Sequence, residues 1–232
     1  MTPVEADEPQ RAGPPVVVLL HGLARGHGSM ARLERFLRAR GYETLCRTYP
    51  SRRQTIAALA ADVTEWIVEH AGDRPVSAVT HSMGGVVVRH LHDPRIRWQR
   101  IVMLAPPNQG SRIAAALADS PVFRWFYGPA GVELADGSAW PAPPAPFAVV
   151  AGTRGRALTN LTSWTVGRRF EAGVAHDGTV AVEETRLDGM GAFAEVDATH
   201  TWIMNDPRVH RLVAAYLAGG SFEPPRESPA DP

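Results

Sequence analysis

The sequence predicts an α/β protein: a mainly parallel sheet of about six strands with helices on both faces. Three observations predict it. Short runs of β-branched and aliphatic residues recur along the chain. Between most of them, apolar residues fall at helical spacing over segments of about ten residues or more. The first run, "VVVLL" (16–20), is apolar without a break, which suits a strand covered on both faces. Alternating strands and helices make βαβ units, and parallel sheets place their sites at the carboxyl ends of the strands.

Val16 to Leu20 is the first strand. Ser29 is placed to cap the helix that follows; Met30, Leu33 and Leu37 share one face of it and Gly41 ends it. "YETLCRTYP" is the second strand. Ile56, Leu59, Val63, Trp66 and Ile67 then recur at helical spacing until "AGDRP". "VSAVT" (76–80) is the third strand, followed by a sharp turn and a helix to about His92. "RIVMLA" (100–105), "FAVVAG" (147–152) and "FAEVDA" (193–198) are the fourth, fifth and sixth. "TVAVEE" (179–184) also reads as strand-like. Val209, Leu212, Val213, Tyr216 and Leu217 make a final amphipathic helix. Residues 1–14 and 221–232 are rich in Pro, Glu, Asp and Ser and read as disordered tails around a single domain, 15–220.

The chain has 232 residues, enough to bury a core without disulfides. Its formal net charge is zero, so the charge balance points to neither a nucleic acid nor a membrane surface as partner. All 24 basic residues are arginine. Without lysine there is no Schiff-base chemistry and no phosphate-loop lysine. The single cysteine, Cys46, excludes an intramolecular disulfide. No basic segment leads into an apolar one at the N-terminus, so a signal peptide is not expected and a cytoplasmic location is the default. A chain already trimmed of its signal would look the same. No apolar run approaches the length of a membrane span, so no stable membrane insertion is expected.

The third strand runs into Thr80-His81-Ser82-Met83-Gly84, and Gly84 with Gly85 opens the next helix. A serine on so tight a strand-to-helix turn needs small neighbours. The turn lifts its hydroxyl above the sheet and aims the helix's first amides at it. A serine there can also serve only as a helix cap, but the flanking strand, helix and second glycine weigh against that. In this stretch the chain resembles the α/β-hydrolase superfamily, in particular its small lipases and esterases, whose pattern is G-x-S-x-G. Thr80 replaces the first glycine and crowds the turn. The resemblance implies the α/β-hydrolase fold, Ser82 as nucleophile, and an oxyanion hole from the N–H groups of Met83 and of Leu23, which follows the His21-Gly22 pair after the first strand.

A serine nucleophile needs a base, and the base an orienting carboxylate. His200 directly follows the last strand, which is where the resemblance puts the base. His21 and His81 belong to the motifs already placed, His90 and His92 do not share a helix face, and His27 comes too early in the chain. Asp177, in "HDGTV", precedes His200 in the expected order and resembles the D-G-x-V segment of many such lipases. Asp188, in "LDG", is the alternative, and Asp197 sits inside a strand. No HExxH, CxxC or paired-ligand spacing is present, so no metal is expected, and no dinucleotide or phosphate loop is present either, so no cofactor is expected.

Residues 106–146 break the alternation, and the resemblance implies that a short insertion at this position covers the site as a lid or lines the acyl pocket. Its Phe123, Trp125 and Phe126, with Trp202 and Met204 beyond His200, are the expected acyl-binding walls, though they equally suit packing of the insertion onto the sheet. The expected function is hydrolysis of small-molecule or lipid carboxylic esters, of short or medium acyl length, through Ser82, His200 and Asp177. Acyl transfer, thioester cleavage and amide cleavage share that chemistry and stay open. A non-catalytic binding protein on the same scaffold is the remaining alternative. The oligomeric state is not legible.

Overall fold

The computed structural model describes residues 15–155, 170 and 173–223. The expected tail 1–14, and that beyond residue 223, lie outside the described residues. Six strands form one parallel sheet: β1 (Val16–Leu20), β2 (Glu43–Cys46), β3 (Val76–His81), β4 (Trp98–Leu104), β5 (Phe147–Gly152) and β6 (Ala192–Val196), in the order β2-β1-β3-β4-β5-β6. β1 pairs with its neighbours from Val16 to Leu20, and all five of its residues are buried.

Alternation along the central strands divides the core in two. Val18, Leu20, Ala78, Ile101, Met103 and Val149 face one side. There they meet α2 (Ile56–Ala71) and α3 (Met83–Arg89), with α4 (Arg112–Leu117) and α5 (Pro121–Glu133) of the insertion beyond. Val17, Leu19, Val79, Val102, Leu104 and Val150 face the other. That side is closed by α1 (Ala31–Arg38) and α7 (Pro207–Gly219). The unbroken apolar strands are therefore explained by helices on both faces. Helix starts follow local chemistry: Thr55, Ser111, Ser120 and Asp206 each accept a backbone N–H at the N-terminus of α2, α4, α5 and α7, and Pro121 and Pro207 occupy the first turn of the last two.

Two local expectations change. Ser29 does not cap α1; it lies in a 3₁₀ turn (His27–Met30), and its hydroxyl donates to the Gly26 carbonyl. "TVAVEE" is not a strand: Val182–Thr185 is a short helix, α6. Its Glu184 carboxylate is buried and accepts the N–H groups of Ala181 and Arg112, so tertiary hydrogen bonds override the alternating pattern. Among the described residues no helix is long and apolar enough to cross a membrane.

Candidate active site

β3 ends at His81, and α3 begins at Met83. Ser82 alone makes the turn, with φ 53° and ψ −124°. That backbone is costly for a residue with a Cβ, on the order of 1–3 kcal/mol. Ser82 N–H donates to the Leu104 carbonyl of β4 at 2.9 Å, which pins the turn to the sheet. Gly84 is needed for contact: a Cβ there would stand 2.6 Å from the Leu20 carbonyl oxygen and 3.0 Å from that of His21. Thr80, at the usual glycine position, is fully buried, and its hydroxyl finds no partner among the described residues.

Ser82 Oγ lies 2.9 Å from His200 Nε2, and His200 Nδ1 lies 2.7 Å from Asp177 Oδ2. All three side chains are buried: Ser82 is 9% exposed, His200 8% and Asp177 1%. The other carboxylate oxygen of Asp177, Oδ1, accepts from Thr179 N–H and Val180 N–H. His200 N–H also donates to the Asp177 carbonyl, so the two loops are joined by backbone as well as side chain. The carboxylate accepts the hydrogen bond of Nδ1–H and so leaves the lone pair of Nε2 facing the serine hydroxyl. Of the rival acids, Asp188 is exposed on the turn that leads into β6, and Asp197 is exposed and paired with Arg154.

The loop after β1 passes Ser82 at contact distance: a Cβ on Gly22 would sit 3.1 Å from Ser82 Cβ. His21 shapes this loop. Its ring stacks on Tyr49, its Nδ1–H donates to the Gly22 carbonyl, and its Nε2 accepts Tyr49 N–H. Ala24 N–H donates to Ser51 Oγ. The N–H groups of Leu23 and Met83 make no hydrogen bond among the described residues.

A cavity of about 310 Å³ opens beside Ser82 and His200. Ile113, Ala114 and Leu117 of α4 and Phe123, Phe126 and Tyr127 of α5 form its apolar wall. Of the aromatic residues expected there, Phe123 and Phe126 line it. Trp125 and Trp202 do not. On α5 the turn periodicity that sends Phe123 inward sends Trp125 outward, where it is 79% exposed. Trp202 is half exposed on a separate surface hollow with Arg32 and Asn205, and Met204 is packed in the core against α1 and α7.

A family model described as the Alpha/beta hydrolase family matches residues 17–227. The chain belongs to that family. Solved structures agree on the fold. The chain is 20% identical to the mature Bacillus licheniformis lipase BlEst2, covering 95% of this chain and 96% of that one, with a TM-score of 0.69. It is 18% identical to the metagenomic carboxyl esterase MGS0156, covering 85% and 68%, with a TM-score of 0.62. It is 22% identical to the phospholipase PlaB from Legionella pneumophila over 74% of this chain, spans only 45% of that protein, and gives a TM-score of 0.56. A search of curated proteins by sequence finds no match.

Residues next to the motif positions also shape the site. His81 is fully buried, and its Nε2–H donates to the His200 carbonyl at 3.0 Å. Burial holds its pKa well below the usual histidine value, and nearby His200 and Arg25 act the same way, so the ring is neutral. It is thus a support for the His200 loop. Burial likewise lowers His21. Arg25 lines the cavity beside Ser82. The contact made by His81 has no sequence signal beyond proximity to a motif, because it depends on where the distant His200 loop ends. Among the described residues, no cluster of three or more His, Cys, Asp or Glu is placed to hold a metal ion.

Proposed function

We propose that the protein is a serine hydrolase that cleaves carboxylic esters, with Ser82 as nucleophile, His200 as general base and acid, and Asp177 as the carboxylate that orients the base. The observation that carries the reading is the continuous pair of hydrogen bonds, Ser82 Oγ–His200 Nε2 at 2.9 Å and His200 Nδ1–Asp177 Oδ2 at 2.7 Å. Ser82 Oγ attacks the ester carbonyl carbon as its proton passes to His200 Nε2. The negative charge on the carbonyl oxygen is met by the N–H groups of Leu23 and Met83. The tetrahedral species collapses, the C–O bond to the alcohol breaks, and His200 returns the proton to the departing oxygen. Water then gives a proton to His200, attacks the acyl-enzyme, and the acid leaves as Ser82 regains its hydrogen. Asp177 keeps the imidazole in the required tautomer and stabilises its cation throughout.

The strained turn at Ser82 serves as a nucleophile elbow in this reading. The cavity stands near the lower end of the roughly 300–1,000 Å³ range of small-molecule sites. That size favours short and medium acyl chains along Ile113, Leu117 and Phe123. The test is hydrolysis of p-nitrophenyl esters from acetate to palmitate. The expected result is highest kcat/KM at short or medium length, with all activity lost in Ser82→Ala. Full activity in Ser82→Ala refutes the reading.

A further inference from the structure

Arg25 stands two residues after Leu23, on the loop that borders Ser82, and its side chain lines the same cavity as Ser82 and His200. Among the described residues it belongs to no ion pair, and its guanidinium donates no hydrogen bond. Its Nε is buried without an acceptor. Arg25 itself is half-buried, and the fold treats the fully buried Arg89 differently. Arg89 donates to the carbonyls of Pro141, Asn108 and Trp140. A half-buried guanidinium whose Nε has no acceptor among the described residues loses part of its hydration, and a ligand oxygen in the cavity would offset that loss. Burial lowers the pKa of Arg25 from its ordinary value, but arginine stays charged at neutral pH.

We propose that Arg25 recognises an anionic oxygen group, carboxylate or phosphate, carried by the alcohol half of the ester substrate. The inference rests on the ester-hydrolase reading. The assignment to the alcohol half follows from the cavity's two characters. α4 and α5 offer the acyl chain an apolar wall of Ile113, Leu117 and Phe123, where an anion would be stranded. The guanidinium is the charged group of the lining and comes from the loop after β1 rather than from α4 or α5. Its planar fork matches two oxygens at once, which makes it a discriminator of such groups rather than a general attractor. The substrates are then esters in which an anionic group lies within a few bonds of the scissile oxygen.

The test compares 4-nitrophenyl butyrate with 3-carboxy-4-nitrophenyl butyrate in wild type, Arg25→Gln and Arg25→Lys. The ratio of kcat/KM, carboxylated over neutral, falls by roughly 10- to 100-fold in Arg25→Gln and less in Arg25→Lys, which keeps the charge but not the fork. An unchanged ratio in Arg25→Gln overturns the proposal. A second measurement needs no turnover: calorimetric binding of phenyl phosphate, benzoate and benzyl alcohol to Ser82→Ala. At least one anion is expected to bind about tenfold or more tightly than the alcohol, with the difference erased when Arg25→Gln is added. Tighter phenyl phosphate names phosphate as the group, and tighter benzoate names carboxylate. Equal binding of all three overturns the proposal. If wild type hydrolyses neither ester while the anion still binds, the serine mechanism fails and the anion site stands.

Discussion

Asp177→Asn removes one charge and exchanges one atom, and its outcome follows from the hydrogen bonds. Oδ1 accepts from Thr179 N–H and Val180 N–H at 2.9 and 2.8 Å, and an asparagine Oδ1 keeps both. Oδ2 accepts from His200 Nδ1 at 2.7 Å, and in the variant an NH₂ donor stands there. Two donors cannot share that line, so the imidazole carries its proton on Nε2 instead. It then faces Ser82 Oγ, 2.9 Å away, with a hydrogen and no lone pair, and cannot take the serine proton. In serine proteases that tautomer change costs about 10⁴ in kcat, or about 5 kcal/mol of transition-state stabilisation. The fold itself loses one charge-assisted bond, about 1–3 kcal/mol. The assay is steady-state hydrolysis of p-nitrophenyl butyrate, with Asp188→Asn as the control on an exposed turn. A fall of about 10⁴ in kcat with little change in KM, and near-normal activity in the control, is expected. A loss below tenfold in Asp177→Asn, or an equal loss in Asp188→Asn, refutes the argument.

Gly84→Ala puts a Cβ 2.6 Å from the Leu20 carbonyl oxygen, a backbone atom that cannot step aside. The expected loss is about 1–3 kcal/mol, seen as a melting temperature lower by roughly 2–4 °C per kcal/mol; an unchanged melting temperature contradicts it. His81 is neutral when folded and has its pKa depressed by burial, so the unfolded chain binds the extra proton first. Stability is therefore full above the unfolded value near 6.5 and falls as pH drops below it, by up to about 1.4 kcal/mol per pH unit from this residue. Urea midpoints at pH 7.5 and 5.5 should separate less in His81→Gln than in wild type, and equal separations count against the assignment. On α5, Trp125→Ala should change stability by no more than about 0.5 kcal/mol. Phe123→Ala should cost about 3–5 kcal/mol and shift the ester preference toward longer chains; similar effects at both positions would mean the helix faces the other way.

The parts of this molecule that were legible in sequence are those in which one stretch of chain decides the outcome. "FAVVAG" is β5 residue for residue, because a buried parallel strand needs an unbroken apolar run. Thr80 to Gly84 reads as a strand-to-helix turn, and Ser82 has the strained backbone such a turn demands. The illegible parts depend on a partner elsewhere in the chain. "TVAVEE" alternates like a strand, yet it forms α6 because the Glu184 carboxylate reaches Arg112 N–H, far away in sequence. Trp125 and Phe123 have similar composition and spacing signals, and only the docking of α5 decides which of them faces the cavity. The role of His81 is set by the His200 carbonyl, 119 residues away. Arg25 reads as one arginine among many until the structure shows that, among the described residues, no carboxylate pairs with it.

Labelling with a fluorophosphonate, followed by intact mass and peptide mapping, tests the nucleophile most directly. The structure predicts one adduct per chain, on Ser82, formed by the folded wild type. It predicts none in Ser82→Ala and labelling slowed by orders of magnitude in His200→Ala. An adduct on any other residue, or undiminished labelling of Ser82→Ala, would contradict it.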